Sequence, residues 1–345
     1  MQRIPAKSPQ ATQAYDLVYR LQQRFVEGLQ NLASSLGSQQ RFSPVEWFRD
    51  EGKHGGGVRY ETADGDLIAR GSVNVSQVHY DNLPDKKLSS ANAISTIIHP
   101  VHPHAPSVHI HISWTEMRTG EGYWRIMADL NPAIENPEAT QQFLRAMQSA
   151  APESYPEAVA QGERYFFIPV LNRHRGVAHF YLEQYNTGDA GKDFALAATV
   201  GEAAIDTYIT MLNKALAEPV AISDADQAAQ LAYHSLYFFQ VLTLDRGTTT
   251  GLLVHNQNDI GILGSLPAYV DKDLLASWIN DMPEPQEKLL KSLIEVLPET
   301  SPCLIDHVVK QKLADVVRHH YRTHPGAIAL QASGDVIPAT VHNHC

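Results

Sequence analysis

Cysteine is nearly missing: Cys303 and Cys345 are the only two in 345 residues, too few for a disulfide framework and without the CxxC pairing of a thiolate metal site. No run approaches the roughly 20 apolar residues of a membrane-crossing helix, and the opening stretch MQRIPAKSPQATQAYD lacks the apolar core of a secretory leader. These absences predict a cytoplasmic chain with no membrane span. Basic blocks are absent too. Against 27 Lys and Arg stand 38 Asp and Glu, a net charge of −11 spread along the chain, which argues against nucleic acid as a partner. The phosphate loop of nucleotide-binding proteins, the GxSxG elbow, the HExxH helix and the dinucleotide fingerprint are all missing. No Gly/Ser-rich or Pro-rich linker divides the sequence and no repeat recurs, so one domain over 1–345 is expected.

Histidine, by contrast, is abundant, with 17 residues. Tyr15, Val18, Leu21, Phe25, Leu29 and Leu32 recur at helical steps and predict an amphipathic helix over 11–36. Alternating segments follow: a hairpin turning at Asp64-Gly65, then strands NAISTIIHP, PSVHIHISWTEM and YWRIMADLNP, and a helix over 137–150. RYFFIPVLNRHRGVAHFYLEQY reads as a strand pair turning near Asn172, 192–216 and 224–236 as helices, and YFFQVLTLD as a strand. Helices near 273–296 and 305–321 complete a C-terminal region (271–322), before a His-containing tail over 323–345. Strands grouped in the middle with helices before, between and after them predict an α+β fold, a large antiparallel β-sheet flanked by helices on both sides.

The densest chemistry lies in Ile98-His99-Pro100-Val101-His102-Pro103-His104-Ala105-Pro106-Ser107-Val108-His109-Ile110-His111. Its prolines force an extended loop between two strands. In the second strand His109, His111 and Ser113 share one face and Val108, Ile110 and Ile112 the other. Two imidazoles side by side suit a metal or an acid/base pair, or simply hydrogen-bond to each other and to loop carbonyls. Asp129, before the turn Asn131-Pro132, is either a turn cap or a site acid. In Asp245-Arg246 and at Arg175 a guanidinium fork is available to a substrate carboxylate.

Taken in order, Trp47-Phe48-Arg49-Asp50-Glu51-Gly52, SVNVSQVHY, ISTIIHPVHPHAPSVHIHI, ADLNP, YFFIPVLNRHRGVAHFY, LTLDRGTTTGL and GILGSLPAYV resemble the motifs of the oxygen-dependent coproporphyrinogen III oxidase family over 47–270. The resemblance implies a homodimer with a deep cleft for a tetrapyrrole bearing propionates. It also implies conversion of propionates to vinyl groups by molecular oxygen, in porphyrin and haem biosynthesis, with no obligatory organic cofactor or metal. Carried over by position, His109 is the site histidine, Asp129 and Asp245 are pyrrole-facing acids, Ser95 touches substrate, and Arg175 and Arg246 bind propionates.

The sequence also departs from the pattern. Where the family has Asn and Arg after the site histidine, this chain has His111 and Ser113, and the glycines and acids expected after Arg175-Gly176 give way to Val177-Ala178-His179-Phe180-Tyr181-Leu182-Glu183. Two further readings therefore stand beside the oxidase. In one, the fold serves another substrate with a divalent metal on His99, His109 and His111, or with His179 and an acid such as Asp129 or Glu183. In the other, the protein binds a tetrapyrrole or metal without turnover.

Overall fold

The structure is a computed structural model and describes residues 1–217 and 220–333. Seven strands form one antiparallel sheet: β1 (Ser43–Phe48), β2 (Gly55–Ala63), β3 (Ile68–His79), β4 (Leu88–Pro100), β5 (Ser107–Met117), β6 (Gly122–Asn131) and β7 (Ala178–Tyr185). Each strand pairs with its neighbour in sequence, so the sheet is a meander. Asp64 and Gly65 turn the β2–β3 hairpin, Asp64 at φ 51° in the left-handed region that a short Asp side chain tolerates.

The two faces differ in chemistry. On one, Val73, Val75, Ile94, Val108, Ile110, Ile112, Ile126 and Leu130 are buried under three helices, α1 (Pro9–Ser35), α2 (Pro137–Ala150) and α4 (Ala190–Ala217). Ser8 caps α1 by accepting from the Ala11 amide at 3.2 Å. Within its apolar stripe the fully buried Gln22 donates to the Val58 and Val73 carbonyls, both at 2.8 Å, tying the helix to the sheet.

Over the other face lie α3 (Tyr155–Phe166), α5 (Asp224–Thr243), α6 (Arg246–Val254), α7 (Gln286–Glu295) and α8 (His307–Thr323). The apolar side chains of α5 to α8 form a second core around Phe238, Phe239, Leu289, Leu293 and Leu313, while Tyr165 and Phe166 of α3 pack with Met127 and Tyr181. Helices on both faces of an antiparallel sheet make this the expected α+β architecture.

Three local readings are corrected. YFFQVLTLD is not a strand: Tyr237–Thr243 closes α5, where every residue from Tyr233 to Thr243 is buried. A helix buried all round has no polar stripe, so its pattern imitates an internal strand. Arg164, Tyr165 and Phe166 belong to the end of α3, and the strand pair around Asn172 shrinks to Phe167–Ile168 against Arg173–His174, ahead of β7. The helix expected over 273–296 is broken into Lys272–Ser277 and α7, with Pro283 and Pro285 between them. Of the His-containing tail, 334–345 lies outside the described residues.

Candidate active site

Between the sheet's polar face and the second layer runs a cleft whose cavity measures about 250 Å³. Strand alternation builds its floor. Ser72, Asn74 and Ser76 come from β3, Ala93 and Ser95 from β4, His109, His111 and Ser113 from β5, and Tyr123, Arg125 and Met127 from β6. Antiparallel register places Ser95 opposite His111 and Ser113 opposite Arg125. Tyr165, Tyr237, Asp245, Gly247, Thr248 and Ser265 form the roof.

At one end the floor becomes an ionic chain. His109 Nδ1 donates to Asp129 Oδ1 at 2.9 Å, and Asp129 Oδ2 accepts from Arg175 Nη2 at 2.7 Å and from Asn131 Nδ2 at 2.6 Å. Asp129 has no exposed surface. Burial opposes its ionisation, yet Arg175 and then His109 outweigh it and hold the carboxyl far below the usual range. Arg175 is equally buried, its guanidinium between the Phe166 and Tyr237 rings at 4.5 and 4.8 Å and its Nη1 on Gln240 Oε1 at 2.7 Å. His109, partly exposed to the cleft, makes no Nε2 hydrogen bond among the described residues, so that nitrogen is free for a ligand.

A second polar group lies across the cleft. Asp245 caps α6: its Oδ1 accepts from the Thr248 amide at 2.6 Å and its Oδ2 from the Tyr165 hydroxyl at 2.9 Å. Burial and the Asp245 charge push the Tyr165 phenol well above its ordinary value, so it remains a donor. Arg125 Nε and Nη2 both reach Glu183 Oε1, at 2.8 and 2.6 Å, and the Tyr181 hydroxyl bonds Glu183 Oε2. His111 Nε2 is 3.1 Å from Ser113 Oγ. Burial, helped by Arg125 and His109, holds His111 well below 6.5 and therefore neutral.

The sequence-derived candidates divide accordingly. Ser95, His109, His111, Arg175 and Asp245 line the cleft, and Asp129 lies directly behind His109. Arg246 does not join them: buried at the start of α6, it directs Nε to the Ala332 carbonyl at 3.3 Å. The trio His99, His109 and His111 is corrected as a metal set. His99 is fully buried beneath the second layer, between Ser107 Oγ at 2.9 Å and the Ser265 carbonyl at 3.0 Å, and both nitrogens are already engaged. His179 is likewise held by Glu163 at 2.8 Å and the Arg175 carbonyl at 2.7 Å. Among the described residues no three His, Cys, Asp or Glu side chains gather as a metal would require. Sequence reasoning missed Arg125 and Tyr165. Arg125 was legible in principle, as a charge at an inward step of the alternating strand YWRIMAD.

Fold and site together define an α+β protein whose polar sheet face, backed by a buried His–Asp–Arg chain, forms one wall of a ligand cleft. The chain belongs to the coproporphyrinogen III oxidase family, whose model matches residues 13–297. It is 27% identical over 282 residues to the mitochondrial oxygen-dependent coproporphyrinogen-III oxidase of Rattus norvegicus, covering 74% of this chain and 61% of that protein. The Homo sapiens protein of the same name is 27% identical over 283 residues, with 74% and 60% covered. The chain thus spans about three fifths of the length of these curated relatives. Among the described residues no helix is long and apolar enough to cross a membrane.

Proposed function

We propose that this protein is an enzyme that oxidatively decarboxylates propionate side chains of coproporphyrinogen III to vinyl groups, with molecular oxygen as oxidant. The observation that carries this reading is the His109–Asp129–Arg175 chain at the floor of the cleft. The net change consumes R–CH2–CH2–COO⁻, O2 and one proton and yields R–CH=CH2, CO2 and H2O2. A pyrrole N–H proton must be held while the electron-rich ring gives up electrons, and a proton must reach the reduced oxygen.

His109 is suited to that task. Asp129 fixes Nδ1 as the protonated nitrogen, which leaves Nε2 the acceptor lone pair, and the buried carboxylate stabilises the imidazolium that forms. Asp245 faces the same space, and each of its oxygens keeps a second lone pair for a pyrrole N–H. Ser72, Ser76, Ser95 and Ser113 keep the wall low, which leaves room along it for a puckered tetrapyrrole macrocycle. In this reading the substrate supplies the electrons and oxygen accepts them, so no organic cofactor or metal is invoked. The protein acts as a cytoplasmic homodimer, which light scattering and cell fractionation test.

Coproporphyrinogen III incubated with the protein in air should give vinyl porphyrinogen and one peroxide per vinyl formed, separated by chromatography. His109→Ala should reduce turnover by about 100-fold or more, the range of a lost general acid–base group. Wild-type protein that yields neither vinyl product nor peroxide would refute the reading.

A further inference from the structure

Two guanidiniums reach the cleft, and they are in different states. Arg175 is neutralised by Asp129, its Nη1 is taken by Gln240, and it has no exposed surface. Arg125 turns one edge to Glu183 through Nε and Nη2, while Nη1 makes no hydrogen bond among the described residues. Glu183 is in turn fixed by the Tyr181 hydroxyl, so the guanidinium plane is held from behind. The free edge points toward the first turn of α6. Nη1 is 3.7 Å from the point that a side-chain carbon on Gly247 would occupy, and Gly247 carries none. Ser113 is the direct cross-strand partner of Arg125, at the place where the family pattern has its arginine.

We propose that Arg125 is the carboxylate anchor of the cleft: a substrate propionate binds Nη1 in the space between Ser113 and Gly247, so the guanidinium missing from β5 is supplied by β6. The inference rests on the tetrapyrrole reading above and adds to it the subsite that selects an acidic side chain. A propionate there accepts two charge-assisted contacts, from Nη1 and from Ser113 Oγ. Of the neighbouring acids, Glu183 is engaged by Tyr181 and Arg125, and Asp245, whose Oδ1 lies 3.3 Å from that same point beside Gly247, accepts from Tyr165 and Thr248 and borders the subsite on the α6 side. The anchor also fixes the orientation of the ring, placing one edge at β6 and the opposite edge toward His109.

Coproporphyrin III and its tetramethyl ester are the probes, their binding followed by fluorescence on the full chain. The wild type should prefer the acid. In Arg125→Met/Glu183→Gln, which removes the pair together and leaves no lone buried charge, acid affinity should fall about 10- to 100-fold with ester affinity unchanged. Ester binding thereby reports that the cleft is still folded. Adding Ser113→Arg to that background should restore the acid preference from the opposite strand. If the double variant binds the acid as the wild type does, Arg125 is not the anchor, while the tetrapyrrole reading survives. If the wild type binds neither probe, that reading fails and takes the anchor with it.

Discussion

Asp129 accepts hydrogen bonds from His109, Asn131 and Arg175 and touches no water. In the proposed function such a residue serves both stability and chemistry, and different substitutions separate the two roles. Asp129→Ala leaves Arg175 as an uncompensated buried cation and should cost about 3 to 5 kcal/mol in urea unfolding. Asp129→Asn keeps the shape but removes the charge that fixes the His109 proton. It should cost less stability than alanine while lowering turnover about 100-fold or more. The acid limb of the stability curve follows from the same residue. The unfolded chain takes up this proton below about pH 4 while the folded chain resists it. The Asp129 contribution is therefore complete above about pH 5 and fades as pH falls below that, and urea melts between pH 2 and 6 should show a shallower decline in Asp129→Asn.

At the scale of elements, α3 matters because it brings Tyr165 to the cleft and Phe166 against Arg175, and it can do so only by lying close on β7. A side-chain carbon on Gly162 would come within 2.7 Å of His179 Cβ. Gly162→Ala should push the helix outward, destabilise by about 1 to 3 kcal/mol as overpacking does, and lower turnover through the displaced Tyr165, measured by thermal melts and vinyl formation. Legibility followed chemistry at this scale. β5 could be read because Val108, Ile110 and Ile112 alternate with His109, His111 and Ser113 across a sheet with one greasy and one polar face. The end of α5 could not, since Tyr237 to Thr243 is buried from every side and its period vanishes. The candidate site showed the same divide. His109, Asp129 and Asp245 could be picked out as residues, but the pairing of Arg125 with Ser113 and the withdrawal of Arg246 depend on register and on the course of the chain after α5, which local pattern does not encode.

For the whole molecule, the contact between sheet and C-terminal layer holds an unusual charge. Lys310 on α8 is only 2% exposed. Burial, with Arg70 and Arg59 nearby and Glu61 opposing them, lowers it from 10.5 to about 7. The unfolded chain keeps that proton up to about pH 10.5, so folding releases a proton between the two values, and stability rises as pH climbs from about 7 to about 10.5. Lys310→Met should remove this slope and raise the melting temperature at neutral pH, as read by calorimetry across that window.

The two-faced sheet has a consequence for descent. Its apolar side carries the packing against α1, α2 and α4, and the side facing the cleft carries short polar side chains on the same strands. Exchanges on the cleft wall therefore leave the interior beneath α1 and α4 undisturbed, and a lineage can alter the lining residue by residue while inheriting the scaffold unchanged.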